Sequence, residues 1–229
     1  MKLTHTAASM AFGLLASTTV SALPIVAGFN TNTLASNDDG STGLVDLGFS
    51  ANFFGVSSTQ AYVNNNGNIT FDNSLSSFTP FDLTSTGQQI IAPFFADVDT
   101  RAAGDPVTYG QGTYDGRDAF GVNWINVDYF NGSTSHTNRN SFQLILADRS
   151  DISAGDFDII FNYDQIQWET GEASDGDANG LGGDSSSSRL LQWHRQPRYL
   201  FRTVRLRYKR RLPGRRSQCA GLQQPQFWC

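Results

Sequence analysis

Apolar and polar residues alternate along several short stretches of this chain. Within residues 141–147, for example, Phe142, Leu144 and Leu146 occupy every second position. A period of two is typical of a β-strand that turns one face toward a core. β-Branched and aromatic residues are also concentrated in these stretches. We therefore predict strands near residues 44–49, 60–63, 68–71, 89–95, 107–109, 120–129, 141–147 and 157–163.

Turn residues separate the predicted strands. Asn66-Gly67 lies between two of them, and this dipeptide is the strongest short-range signal for a β-hairpin. Asp115-Gly116, Asn131-Gly132 and Ala154-Gly155 mark later turns. No segment shows the amphipathic pattern of a helix, and no alternation of strands with helices is present. The sequence therefore predicts an all-β fold, a single antiparallel β-sandwich-like domain.

Charge divides the chain into two parts. All 21 acidic residues lie before residue 185, whereas 11 of the 16 basic residues lie after residue 184. Residues 23–184 carry four arginines and no lysine against those 21 acids, a net charge of −17, and the last 45 residues carry +11. We predict that the domain ends at residue 184 and that residues 185–229 form a disordered or irregular basic tail.

The first 22 residues resemble a secretory signal. Lys2 precedes an apolar run over residues 6–20, and Val20-Ser21-Ala22 matches the small-x-small cleavage pattern. We predict a signal peptide over residues 1–22, a mature protein that begins near Leu23, and a secreted or extracellular location. No apolar run approaches the roughly 18 residues of a spanning helix, so no transmembrane segment is expected after cleavage. An uncleaved signal anchor and a short buried helix are the alternatives.

Five segments together resemble the nidogen-like (NIDO) extracellular domain across residues 44–184. They are GFSANFFG at 48–55, AYVNNNGNITF at 61–71, IIAPFFADVD at 90–99, NSFQLIL at 140–146 and FDIIFNY at 157–163. Because residues 23–184 lack cysteine and lysine, the resemblance is to the bacterial secreted type. It implies a non-catalytic module for cell-matrix adhesion. Its partner would be an extracellular matrix or cell-surface protein or a glycan, with no nucleic acid.

The catalytic residue types also argue against an enzyme. Residues 23–184 contain one histidine, His136, and no cysteine, which excludes a His/Cys zinc site and a Cys–His pair there. No G-x-S-x-G motif is present. We expect His136, in a polar stretch, to be an ordinary surface residue. We therefore predict no catalytic residues and no cofactor other than calcium.

A second function remains open, a secreted carbohydrate-binding or glycan-processing domain. Its sugar-stacking surface would consist of exposed aromatic rings. Core packing is the favoured interpretation of these rings, because each buries a large apolar area. The six candidates are Phe53, Phe54, Phe94, Phe95, Trp124 and Trp168.

Two groups of residues are candidate calcium ligands. Asp97 and Asp99 share one face if they lie on a strand, and carboxylates suit a hard cation; pairing with Arg101 is the alternative. Asp175, Asp177 and Asn179 match the first half of an EF-hand loop, but the closing glutamate is missing. An irregular calcium-binding turn and a solvated loop are the two interpretations. We expect the aspartates of the domain to face water.

The basic tail has two competing explanations. The family pattern stops and the charge reverses near residue 185, which favours a reading-frame shift. The alternative is a real basic module, because Val204, Leu206 and Tyr208 alternate with basic residues as in a strand with one basic face. The two cysteines of the tail, Cys219 and Cys229, are a separate question. They either form a disulfide or remain free thiols. If the tail replaces closing strands, a sheet edge is left unpaired.

Overall fold

The computed structural model describes residues 25–83, 86–101, 104–132 and 135–184, and the strand backbone of residues 187–189 and 204–208. The predicted signal peptide, Cys219 and Cys229 lie outside these residues. The described residues form one 3-10 turn, Glu172–Ser174, and twelve strands. The strands are β1 (Asn32–Thr33), β2 (Val45–Phe53), β3 (Val56–Asn64), β4 (Asn68–Thr70), β5 (Ile90–Phe95), β6 (Val98–Asp99), β7 (Thr108–Tyr114), β8 (Arg117–Tyr129), β9 (Asn140–Asp148), β10 (Phe157–Gln165), β11 (Ser187–Arg189) and β12 (Val204–Tyr208).

The strands form two sheets that share one core. The first sheet has the order β1-β7-β8-β9-β10-β12, with β6 paired to β8, and the second has the order β11-β5-β4-β3-β2. Apolar side chains from both sheets, such as Val63 and Phe94 from one and Val122 and Leu144 from the other, belong to one buried cluster. This arrangement confirms the predicted all-β, sandwich-like fold. The strand pairs are antiparallel except that β12 runs parallel to β10.

Local turn chemistry explains the hairpins. Asp115 and Gly116 both have positive φ, 49° and 76°, as the two-residue turn between β7 and β8 requires. Gly67 has φ 72° in the predicted hairpin between β3 and β4. A Cβ at Gly67 would lie 1.7 Å from the carbonyl oxygen of Phe94, so only glycine fits there. All eight predicted strands are present, whereas β1, β6 and β11 were not predicted.

The two tryptophans of the domain lie in the core. Trp124 and Trp168 are fully buried, and Trp124 stacks on Phe142 with centroids 5.1 Å apart. Each indole N–H donates to a backbone carbonyl, Trp124 to Asn65 at 3.0 Å and Trp168 to Val127 at 3.1 Å. The core interpretation is confirmed for both tryptophans and for Phe53, Phe94 and Phe95, which are also buried, whereas Phe54 is only partly buried. The indoles therefore present no sugar-stacking face.

Two short strands from the basic tail cover sheet edges. β12 pairs with β10, and in this pair Val204 lies opposite Ile159. β11 pairs with β5, and there Ser187 lies opposite Phe95. The alternation at residues 204–208 thus predicted a strand correctly. The expectation that the tail leaves a sheet edge unpaired is wrong for β5 and β10, because backbone groups of the tail pair with both. The rest of the tail lies outside the described residues.

Candidate cation site

Three carboxylates from two separate parts of the chain meet at one end of the sandwich. Asp38 and Asp39 lie in the loop between β1 and β2, and Asp97 lies in the turn between β5 and β6. One carboxylate oxygen of each lies within 4.8 Å of the others. Within the part of the chain that the structure describes, this is the one group of three or more His, Cys, Asp or Glu side chains with such spacing.

A tight turn fixes Asp97. The Val98 N–H donates to the Ala96 carbonyl at 2.9 Å, which closes a three-residue turn around Asp97. The Phe130 N–H donates to the Asp97 carbonyl at 3.1 Å and ties this turn to the end of β8. The Asp97 residue is only 2% exposed, and its Oδ2 atom is buried without a hydrogen-bond partner. A Cβ on Gly171 would lie 2.5 Å from this oxygen, so glycine there leaves room for the carboxylate.

Buried polar side chains hold the loop that carries Asp38 and Asp39. The Asn37 N–H donates to Thr100 Oγ1 at 2.9 Å, and the Gly40 N–H donates to Asn37 Oδ1 at 2.6 Å. Asn65 adds three bonds, from its backbone N–H to the Gly40 carbonyl and from its side-chain amide to the carbonyls of Asn37 and Asp38. The asparagine run 64–66, expected only to form a hairpin turn, therefore also anchors this loop.

Donors hold one oxygen of each loop carboxylate and leave other oxygens without a partner. Arg101 donates to Asp38 Oδ2 at 2.9 Å and to Asp99 Oδ2 at 2.8 Å. The Asn66 amide donates to Asp39 Oδ1 at 2.8 Å. Asp38 Oδ1, like Asp97 Oδ2, is buried without a hydrogen-bond partner. The cluster is thus oriented from outside by its neighbours, while buried carboxylate oxygens remain unsatisfied.

The electrostatics of the cluster favour protonation in the absence of a cation. Burial, together with the nearby charges of Asp38, Asp39 and Asp99, raises the pKa of the Asp97 carboxyl to about 7, although Arg101 acts in the opposite direction. Burial and the charges of Asp99 and Asp39 together raise the pKa of Asp38 to about 6, again against Arg101. Both shifts have the same physical origin, since ionised carboxylates that lose water and lie close together are destabilised.

The structure separates the two aspartates that the sequence grouped together. Asp97 joins Asp38 and Asp39, whereas Asp99 binds Arg101 through both of its oxygens, the alternative weighed from the sequence. The expectation that the aspartates face water is wrong for Asp97, Asp99 and Asp128, which are all buried.

The second predicted calcium loop is closed by its own backbone. Asp177 Oδ1 accepts the N–H groups of Asn179 at 2.8 Å and of Leu181 at 3.0 Å, and these bonds lower the pKa of Asp177. Asp175 has φ 63° and ends the 3-10 turn. These residues lie outside the group of three carboxylates described above. Calcium binding by Asp175, Asp177 and Asn179 stays a prediction.

His136 is part of a second polar cluster rather than a surface residue. Its Nδ1 lies 2.9 Å from Asp128 Oδ1, and its ring stacks on Tyr129 with centroids 3.9 Å apart. Arg139 pairs with the other oxygen of Asp128 at 3.0 Å. The expectation of an ordinary surface histidine is therefore wrong, because the aspartate and the tyrosine hold its ring in a nearly buried position.

The fold defines an all-β domain of two sheets, and comparison with known proteins places it in a family. The family model described as NIDO related matches residues 6–205, and the chain belongs to that family. The resemblance found in the sequence motifs is thus confirmed at the level of the family. The match also runs past residue 184 into the basic tail.

The chain is similar to alpha-tectorin of three animals. It is 38% identical to the protein of Mus musculus over 170 residues, 37% to that of Homo sapiens over 170, and 36% to that of Gallus gallus over 169. Each alignment covers 64% of this chain and 8% of the relative, so the chain spans a small part of the relatives' length. No solved structure gives a significant match. Among the described residues, no helix is long and apolar enough to cross a membrane.

Proposed function

We propose that this protein is a secreted, non-catalytic module of the extracellular matrix type that takes part in cell-matrix adhesion. The observation that carries the proposal is its membership of the NIDO-related family together with its similarity to alpha-tectorin, an extracellular matrix protein. The module acts by surface recognition of a partner rather than by bond chemistry.

The surface charge favours a basic protein as the partner. Each of the four arginines of residues 23–184 forms an ion pair with aspartate, as Arg117 does with Asp151 at 2.8 Å and Arg149 with Asp158 at 2.9 Å. The domain therefore presents excess negative charge to solvent. Like charges repel an anionic glycan, whereas a basic protein surface is complementary.

Binding to matrix deposited by cultured fibroblasts, after the cells have been removed, tests this proposal. We expect the labelled, purified chain to bind saturably, and we expect binding to weaken as salt screens the acidic surface. Trypsin treatment of the matrix should abolish binding, whereas digestion of its glycosaminoglycans should not. A Gly67→Val variant, which cannot form the β3–β4 hairpin, is the unfolded control. Binding no greater than that of this control would overturn the proposal.

A further inference from the structure

We propose that Asp38, Asp39 and Asp97 bind one calcium ion. This inference does not depend on the proposed adhesive function. It starts from the meeting of three carboxylates, with one oxygen from each lying within 4.8 Å of the others. Two oxygens that bind the same Ca²⁺, each 2.3–2.6 Å from it, lie at most about 5 Å apart. The spacing of the three oxygens therefore fits a single calcium shell.

The unsatisfied carboxylate oxygens provide a second observation that points to a ligand. Asp97 is 98% buried, since only 2% of it is exposed, and its Oδ2 has no hydrogen-bond partner. Asp38 Oδ1 is buried and unpartnered as well. A buried carboxylate oxygen without a donor is costly, and folded proteins seldom leave one unexplained. A cation bound by these carboxylates supplies the missing partner and removes that cost.

The surrounding donors arrange the carboxylates as ligands rather than neutralising them. Arg101 holds Asp38 through Oδ2 only, and Asn66 holds Asp39 through Oδ1. Such bonds from outside orient metal-binding side chains in known metal sites. Asn66 lies in the turn between β3 and β4 and Arg101 follows β6, so two separate parts of the chain position the carboxylates of the loop.

The charge balance favours a divalent cation. Four carboxylates, those of Asp38, Asp39, Asp97 and Asp99, share the single guanidinium of Arg101. One calcium ion changes the sum of these charges from −3 to −1 when all four acids are ionised. The donor set consists of carboxylate oxygen, which suits Ca²⁺ and does not resemble the nitrogen and sulfur ligands of a structural zinc site.

Calorimetric titration of the full chain with CaCl₂ alone, after treatment with EDTA and dialysis, tests the site. We expect one calcium ion bound per chain and a melting temperature raised by about 5 °C or more at saturating calcium. Asp97→Asn and Asp39→Asn should each weaken binding at least tenfold. Asp118→Asn removes the same charge from an exposed position of β8 and should bind calcium as the wild type does.

Three results would overturn the proposal. They are a wild-type chain that takes up no calcium, an Asp97→Asn variant of wild-type affinity, and equal affinity for MgCl₂, which would contradict the assignment to calcium. Circular dichroism of each variant without calcium shows whether it is folded. If Asp97→Asn does not fold, Asp39→Asn decides the test, because its more exposed side chain tolerates the amide.

Discussion

Replacement of Asp97 by asparagine should stabilise the calcium-free protein at neutral and alkaline pH. The pKa of Asp97 is raised from 3.8 to about 7 by burial, so the folded state holds a proton that the unfolded state has lost. A raised carboxyl pKa means that stability is greatest below the unfolded pKa and falls as the pH rises toward the folded one. One pKa unit corresponds to about 1.36 kcal/mol, so ionisation of Asp97 costs roughly 4 kcal/mol above pH 7.

Urea unfolding followed by tryptophan fluorescence measures this effect, because Trp124 and Trp168 become exposed to water on unfolding. In EDTA, wild type should lose stability between about pH 4 and pH 7, whereas Asp97→Asn should show a shallower decline. The remaining slope comes from Asp38, whose pKa is raised to about 6. Asp118→Asn should follow the wild type at every pH. At saturating calcium the stability difference between the two chains should narrow, because the wild-type chain binds the ion more tightly than Asp97→Asn does.

An Asp97→Asn variant that is less stable than wild type in EDTA at pH 8 would refute this reasoning. Such a result would mean that the ionised carboxylate accepts hydrogen bonds that an amide cannot replace. A wild-type stability that stays constant from pH 4 to pH 7 would refute it as well, since burial would then not favour the protonated form.

Three further changes test the fold. Gly67→Ala should destabilise the protein by about 3 kcal/mol or more in urea unfolding, because the Cβ of the new alanine meets the Phe94 carbonyl. The control Gly87→Ala, at a position with open space around it, should be nearly neutral in the same assay. Trp124→Ala should cost about 3–5 kcal/mol in the same assay. Ending the chain at residue 184 should expose the edges of β5 and β10 and increase aggregation in light scattering; unchanged solubility would contradict the pairing by β11 and β12.

The strands and hairpins were predictable because their signals are local. Alternation over residues 141–147 and 157–163 depends on the two-residue period of a strand, and Asp115-Gly116 supplies the positive φ that its turn requires. β1 and β6, each two residues long, are too short to show a period. Their pairing depends on neighbouring strands rather than on their own residues.

The carboxylate cluster was only partly predictable. The spacing of Asp97 and Asp99 predicts one shared face, but spacing along one strand does not show that Asp99 pairs with Arg101 while Asp97 lies apart from it. Asp38 and Asp39 were missed because they are far from Asp97 in the sequence. Their one local signal is the turn-like Asn37-Asp38-Asp39-Gly40, and such turns are common on protein surfaces.

Burial of polar residues explains the other errors. His136 lies in a polar stretch, yet Asp128 and Tyr129 hold it in a nearly buried position. A polar stretch is usually exposed, and only the tertiary structure shows which of its residues find a buried partner. The same reason applies to Asp99 and Asp128, which pair with Arg101 and with His136 and Arg139, whereas Asp97 is buried with its Oδ2 unpartnered.

Expression of the full chain in a secreting host, followed by N-terminal sequencing of the product, tests most directly whether this protein works outside the cell. The account predicts folded, β-rich protein in the medium that begins at or near Leu23. Protein that stays in the cytosol with Met1 still attached would contradict the extracellular role from which the proposed adhesion follows.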